Sequence, residues 1–282
     1  MASKMTAPAV RARKGGDPLV MVTAYDAPGA RMADEAGVDL ILVGDSVAMV
    51  VLGYDDTLQV TTDDLAHHTA AVARAKPRPM IVADLPWLSY HVSVEETVRN
   101  AAQLVRAGAQ AVKLEGGSKR VPMVEAIVDA EIPVMGHIGL TPQSVHAMGG
   151  FKVQGKQRDA AEALVDDALA LEAAGAFSIV LEGVPDAVGR MVTEAVSVPT
   201  IGIGAGPWCD GQVLVFHDLL GIEDRVLPKF VRRYASLKAD AVAAIAAYAD
   251  DVRTRRFPSD AESYHLADDV AEALGLYGSK SA

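Results

Sequence analysis

Four carboxylates in this chain, Asp45, Asp84, Glu115 and Glu182, each close a short aliphatic run, and three of those runs repeat one pattern. The copies are Ala36-Gly37-Val38-Asp39-Leu40-Ile41-Leu42-Val43-Gly44-Asp45, Ala107-Gly108-Ala109-Gln110-Ala111-Val112-Lys113-Leu114-Glu115 and Ala174-Gly175-Ala176-Phe177-Ser178-Ile179-Val180-Leu181-Glu182. Asp84 ends a further run, Val82-Ala83-Asp84. Like charges brought together raise one another's pKa unless a cation sits among them, and a divalent metal is the economical answer. Oxygen donors without convergent His or Cys suit Mg²⁺, or Mn²⁺ in its place. A lone strand-end carboxylate is explained by capping the next helix or pairing with an arginine. Four in matching register point instead to a shared site.

Lys113 stands two residues before Glu115, so on a strand both side chains leave by the same face. Three roles are open to it: a charge for a substrate carboxylate, a Schiff-base amine if its pKa is lowered, or an ion pair with one of the acids. His137 lies among glycines in Gly136-His137-Ile138-Gly139 and is a second-rank candidate, since a hydrogen-bonded core histidine is the commoner outcome. His67 and His68 are read as surface or packing residues, and Cys209 as passive. Gly202-Ile203-Gly204-Ala205-Gly206 lacks the dinucleotide spacing and follows a late strand, which favours a turn requiring positive φ.

These residues need a scaffold that brings strand ends together. An Ala-Gly pair closing a helix before a short apolar run is the joint between successive α/β units, the Gly taking the left-handed conformation. Strand-like runs cover residues 19–26, 40–46, 80–86, 111–117, 134–141, 178–184, 200–206 and, less regularly, 225–231. Their near-continuous apolar character suits a parallel sheet covered on both faces. Helical periodicity fills 27–35, 62–75, 93–107, 121–130, 159–174 and 184–196, with a capping box expected at Ser93-Val94-Glu95-Glu96. Eight alternations in 282 residues favour a closed (β/α)8 TIM barrel, whose chemistry is built at the carboxyl ends of its strands.

Three segments are expected: an N-terminal extension over 1–18, the barrel over 19–235, and a helical tail over 236–282 with helices at 239–252 and 261–276. Arg11, Arg13 and Lys14 are followed by no apolar stretch, so the N-terminus reads as neither secretory signal nor membrane anchor, and the location as cytoplasmic. The net charge of −11 disfavours nucleic acid or an anionic membrane as partner. A single cysteine excludes an internal disulfide and all-cysteine metal sites.

Several blocks together resemble the ketopantoate hydroxymethyltransferase family. They include Thr23-Ala24-Tyr25-Asp26, Leu42-Val43-Gly44-Asp45-Ser46, Ala83-Asp84-Leu85-Pro86, Val112-Lys113-Leu114-Glu115-Gly116-Gly117 and Gly136-His137-Ile138-Gly139-Leu140-Thr141-Pro142-Gln143-Ser144. Gly149-Gly150-Phe151-Lys152-Val153-Gln154-Gly155 and Pro228-Lys229-Phe230 extend the likeness to about residue 234. The resemblance implies a (β/α)8 barrel that makes 2-dehydropantoate from 3-methyl-2-oxobutanoate with 5,10-methylenetetrahydrofolate as one-carbon donor, a step towards pantothenate. It also implies Asp45, Asp84 and Glu115 around Mg²⁺, Ser46 and Lys113 on the keto acid beside Asp45 and Asp84, Glu182 as base, and a homo-oligomer, commonly a decamer. The ends depart from the family's pattern: few apolar residues precede Asp17, and the chain beyond Ser259 is long. Two rivals compete with this reading. One is another Mg²⁺-dependent keto-acid barrel, a carbon-carbon lyase or a phosphoenolpyruvate mutase-like enzyme, for whose catalytic cysteine Cys209 is badly placed. The other is an inactive binding barrel.

Overall fold

A computed structural model describes residues 4–223 and 226–276. Eight parallel strands close a barrel in sequence order: β1 (Leu19–Thr23), β2 (Leu40–Val43), β3 (Met80–Asp84), β4 (Ala111–Glu115), β5 (Val134–Gly139), β6 (Ser178–Glu182), β7 (Thr200–Ile203) and β8 (Gly211–Leu214). The expected joints are present. Gly37, Gly108 and Gly175 follow their helices with φ of 79°, 118° and 99°, values that exclude most side chains.

Helix starts are chemically specified. Asp26 caps Ala27–Glu35 by accepting the Gly29 N–H at 2.7 Å, and Thr61 with Asp64 forms a reciprocal box at the head of Thr62–Arg74. Ser93 supplies only half of the box expected there, accepting from the Glu96 N–H at 3.1 Å.

Two apolar layers result from strand alternation. Ile41, Val43, Ile81 and Ala83 face outward under the helices, whereas Leu40, Leu42, Met80, Val82, Met135 and Val180 fill the interior. The same period sends Asp84 inward after Val82, Lys113 and Glu115 after Ala111, His137 after Met135, and Glu182 after Val180. An apolar plug therefore lies beneath the polar residues.

Residues 225–231 do not form the eighth strand. Arg225 lies outside the described residues, and from Val226 to Val231 the chain is loop and turn. The eighth strand is Gly211–Leu214, reached from β7 through residues 204–210 with no helix between. A helix-length spacing was the wrong guide at this joint.

The N-terminal segment closes the barrel's lower end. Pro8 and the Thr6 cap start the helix Ala7–Arg11, whose Ala7 and Val10 join Leu19, Met21 and Leu40 in the interior cluster. Burying Val10 fully is worth about 1.5–3 kcal/mol. Lys14 then reaches Asp210 at 3.0 Å and the Thr193 carbonyl at 2.6 Å.

The chain forms two compact units, Met1–Tyr234 and Ala235–Ala282. The second contains the helix Leu237–Arg253. The longer helix expected over 261–276 is instead a 3-10 turn, Asp260–Glu262, and a short helix, Asp268–Ala273, because a Ser259–Glu262 box closes one turn and extended backbone follows. Among the described residues no helix is long and apolar enough to cross a membrane.

Candidate active site

Strand register sets the site's first contacts. Asp84 and Lys113 are paired positions on β3 and β4, as are Glu115 and His137 on β4 and β5. Paired inward positions bring side chains together. Lys113 Nζ accordingly lies 2.8 Å from Asp84 Oδ1, an ion pair without hydrogen-bond alignment. His137 Nδ1 lies 3.4 Å from Glu115 Oε1, and its Nε2 lies 3.3 Å from Glu182 Oε2.

Asp45 enters from the turn after β2. Its backbone N–H donates to Asp84 Oδ2 at 3.0 Å, fixing the two acids together. Gly44 makes room for this, since a Cβ there would stand 2.8 Å from Ser46 Oγ and 3.5 Å from Asp84 Oδ2. Ser46 Oγ in turn lies 2.9 Å from the Tyr25 hydroxyl.

The charges do not balance within the protein. Asp45, Asp84, Glu115 and Glu182 face Lys113 and, at most, a protonated His137, so ionised acids leave an excess of negative charge. Burial, reinforced by Asp84 and Glu115, pushes the Asp45 carboxyl well above the usual range. Burial opposes the charge on Lys113, but Asp84, Glu115 and Asp45 outweigh it and push the ammonium pKa up. A protonated amine is a poor Schiff-base nucleophile, so the raised pKa favours the charge and ion-pair roles for Lys113.

For His137, burial and the Lys113 charge favour the neutral ring, yet contacts with Glu115 and Glu182 prevail and raise its pKa to about 9. Nδ1 also lies 3.3 Å from Lys113 Nζ and cannot both accept there and donate to Glu115. The raised pKa favours the imidazolium, whose two nitrogens face Glu115 and Glu182 at ion-pair distance without hydrogen-bond alignment. His137 is thus a member of the site, not merely a satisfied core residue.

Gln143, just beyond β5, ties the acids together. Its Nε2 donates to Asp45 Oδ2 at 2.8 Å and Leu85 O at 3.0 Å, and its backbone N–H donates to Glu115 Oε2 at 3.0 Å. Its Oε1 accepts from the Tyr90 hydroxyl at 2.6 Å, and that hydroxyl also accepts the Glu115 N–H at 3.2 Å. The amide's orientation follows, because only Nε2 can donate to a carboxylate and a carbonyl. Sequence reading assigned no role to Gln143, Tyr90 or Tyr25. Gln143 gave no signal of its own, since it lies past β5 in the 3-10 turn Pro142–Ser144 and not at the strand's last residue.

All six expected residues, Asp45, Ser46, Asp84, Lys113, Glu115 and Glu182, line one cavity with His137. His67 and His68 lie outside it, although His68 Nδ1 is 2.7 Å from the Tyr25 carbonyl. Cys209 is buried away from the acids, and Gly204 and Gly206, both with positive φ, line the cavity's rim.

The ketopantoate hydroxymethyltransferase family model matches residues 4–260. The chain belongs to that family. Its similarity to 3-methyl-2-oxobutanoate hydroxymethyltransferase of Heliobacterium modesticaldum is 53% identity, covering 98% of this chain and all of that one. The Ignicoccus hospitalis enzyme of the same name is 58% identical over 88% of this chain and 94% of its own. As a ketopantoate hydroxymethyltransferase family member, the chain is a transferase of pantothenate biosynthesis acting on 3-methyl-2-oxobutanoate. Among solved structures, phosphonopyruvate hydrolase superposes with a TM-score of 0.62 at 15% identity, covering 96% of this chain and 95% of that one. A 2,3-dimethylmalate lyase gives 0.58 at 18%, covering 98% and 95%. These two likenesses concern the fold alone.

Proposed function

We propose that Glu182 removes the C3 proton of 3-methyl-2-oxobutanoate in this cavity, and that the resulting carbon nucleophile takes its one-carbon unit from 5,10-methylenetetrahydrofolate. The observation that carries this reading is exposure. The Glu182 side chain is 16% exposed, whereas Asp84 and Glu115 are each 3% exposed and held by protein contacts. Glu182, steadied on one side by His137, is therefore the most exposed of the four acids and the one open to substrate.

The donor set fits a hard divalent cation. Excess negative charge, carboxylate oxygens and the raised Asp45 pKa all support Mg²⁺ held by Asp45, Asp84 and Glu115. Among the described residues no three His, Cys, Asp or Glu side chains are grouped closely enough to ligate one ion together. A bound Mg²⁺ would retain several waters, so some of these carboxylates would hold it through water. When bound, the ion supplies Lewis-acid stabilisation of charge building on the keto oxygen.

Lys113, protonated, offsets the substrate carboxylate, and Ser46 offers a hydroxyl to its oxygens. Glu182 accepts the C3 proton, with His137 holding its carboxylate in place. The methylene carbon is bonded to two folate nitrogens, and both bonds break: one as C3 bonds to that carbon, the other as water supplies the product hydroxyl. The C3 proton held by Glu182 passes to one departing nitrogen and the remaining proton of the water to the other, leaving tetrahydrofolate.

Family resemblance supports a cytoplasmic homo-oligomer, a decamer, as the working form. Product formation with and without methylenetetrahydrofolate tests the reaction. 2-Dehydropantoate should form only with the folate; cleavage of the keto acid alone would mean a lyase, and no turnover an inactive barrel.

A further inference from the structure

The cavity is much larger than the keto acid needs. It encloses about 960 Å³, at the upper end of the range for drug-sized ligands, whereas Asp45, Asp84, Glu115, Glu182, Lys113 and His137 occupy only its floor, with one further exposed acid, Asp186, beside Gly206 at the rim. Towards the mouth its lining changes character. Phe151 and Val153 on one segment and Phe230 on another are apolar, and each segment also carries a lysine, Lys152 and Lys229.

Both segments are anchored next to the chemistry. The Gln154 N–H donates to the carbonyl of Gly183, the residue after Glu182, at 2.9 Å, and the Gln154 side chain donates to the Lys152 carbonyl at 2.8 Å. Residues 151–153 are thus held beside the proposed base. The Phe230 ring rests on Gly204 just past β7, where φ is +67° and a Cβ would come within 2.5 Å of the ring. A turn closed by the Val231 N–H and the Pro228 carbonyl at 3.0 Å presents Lys229 beside it.

The two lysines contrast with their surroundings. In a chain of net charge −11, above an acid-lined floor, both are exposed at the mouth and neither has a carboxylate partner among the described residues. Cations so placed attract an anionic group that stays outside while the rest of its molecule enters.

We propose that Lys152 and Lys229 bind the carboxylates of the folate's glutamate tail while Phe151 and Phe230 line the path of its aromatic portion. This rests on the folate reading above and extends it to a ligand class: a polyglutamylated pteridine is preferred over a monoglutamylated one. Each added glutamate brings another carboxylate within reach of the lysine pair. The preference weakens with ionic strength, because contacts at an exposed mouth are screened.

The test is steady-state kinetics of the full-length protein with monoglutamyl and polyglutamyl methylenetetrahydrofolate. The double variant Lys152→Ala/Lys229→Ala should raise KM for the polyglutamyl form about threefold to tenfold, as expected for two exposed ion pairs. It should also erase the difference between the two folates and leave KM for the keto acid within about twofold, since that ligand sits on the floor. The Lys152→Arg/Lys229→Arg pair should retain the preference. Unchanged folate KM in the alanine double variant, or a wild type indifferent to tail length, overturns the subsite. A wild type that makes no product with either folate overturns the reaction reading itself, and the tail site with it.

Discussion

Gln143 Nε2 donates to Asp45 Oδ2 across 2.8 Å, although the two residues lie 98 positions apart in the chain. The same residue's N–H holds Glu115, so one side chain and its backbone orient two acids from the ends of β2 and β4, strands with only β3 between them. Replacing Gln143 by Ala should lower kcat/KM about 10–100-fold, the effect expected on losing an outer partner of a carboxylate in the proposed metal site. Gln143→Glu should do worse, because it sets a further negative charge against Asp45. Tyr90→Phe removes one hydroxyl from this network and should cost less than either. Kinetics at saturating Mg²⁺, alongside Mg²⁺ titration by calorimetry, checks the order.

Lys113 is the buried cation that makes the acid cluster tolerable. Lys113→Met leaves Asp84 without its 2.8 Å partner, and breaking a buried pair from one side costs about 3–5 kcal/mol. Urea unfolding should show that loss. Because the ammonium pKa is pushed up, borohydride added with keto acid should trap no covalent adduct on the wild type. Mass spectrometry showing a reduced adduct on Lys113 would contradict the assignment.

The repeated Ala-Gly joints differ in one measurable way. Gly37 and Gly108 both have positive φ, but a Cβ on Gly37 meets nothing within 4 Å, whereas one on Gly108 would lie 2.3 Å from the Ala73 Cβ. Gly37→Ala should therefore cost about 1–2 kcal/mol for the left-handed backbone alone. Gly108→Ala should cost clearly more, since overpacking adds about 1–3 kcal/mol. Equal losses in thermal unfolding would show that the close helix contact is not what Gly108 serves.

Much of this architecture was legible in the chain. Seven strands could be found because each is a short apolar run ending at a turn residue, and the acids stood out because they terminate those runs. The eighth was misplaced because Gly211–Leu214 follows β7 without a helix and its exposed Gln212 interrupts the apolar pattern. Glu182 and Asp84 were visible as strand-end residues, and Lys113 as the same-face neighbour two positions before Glu115. Gln143 and Tyr90 were not, because their importance arises only where β3, β4 and β5 stand side by side. His137 was underrated for a related reason: a single histidine in a sequence carries no sign of the two carboxylates that flank it.

Asp210 should make the barrel's lower end sensitive to acid. It accepts from the N–H groups of Gly15 and Thr200 at 2.9 and 2.8 Å and pairs with Lys14 at 3.0 Å. Burial opposes its charge, but these donors prevail and hold its pKa below the ordinary carboxylate value. A depressed folded pKa means stability that is present above the unfolded value, about 3.9, and lost as pH falls through the folded one. Asp210→Asn should thus lose about 1–3 kcal/mol at neutral pH, with the gap to wild type closing below about pH 4. Thermal melts over that range decide it.

The assignment of Glu182 is tested most directly by deuterium exchange at C3 of 3-methyl-2-oxobutanoate in deuterated water, with Mg²⁺ and no folate. Wild-type protein should exchange the proton, and Glu182→Gln, which keeps the shape but cannot accept it, should reduce the rate by at least about 100-fold, the lower range for a general base. Wild-type exchange in Glu182→Gln would mean that another group takes the proton and that Glu182 is not the base.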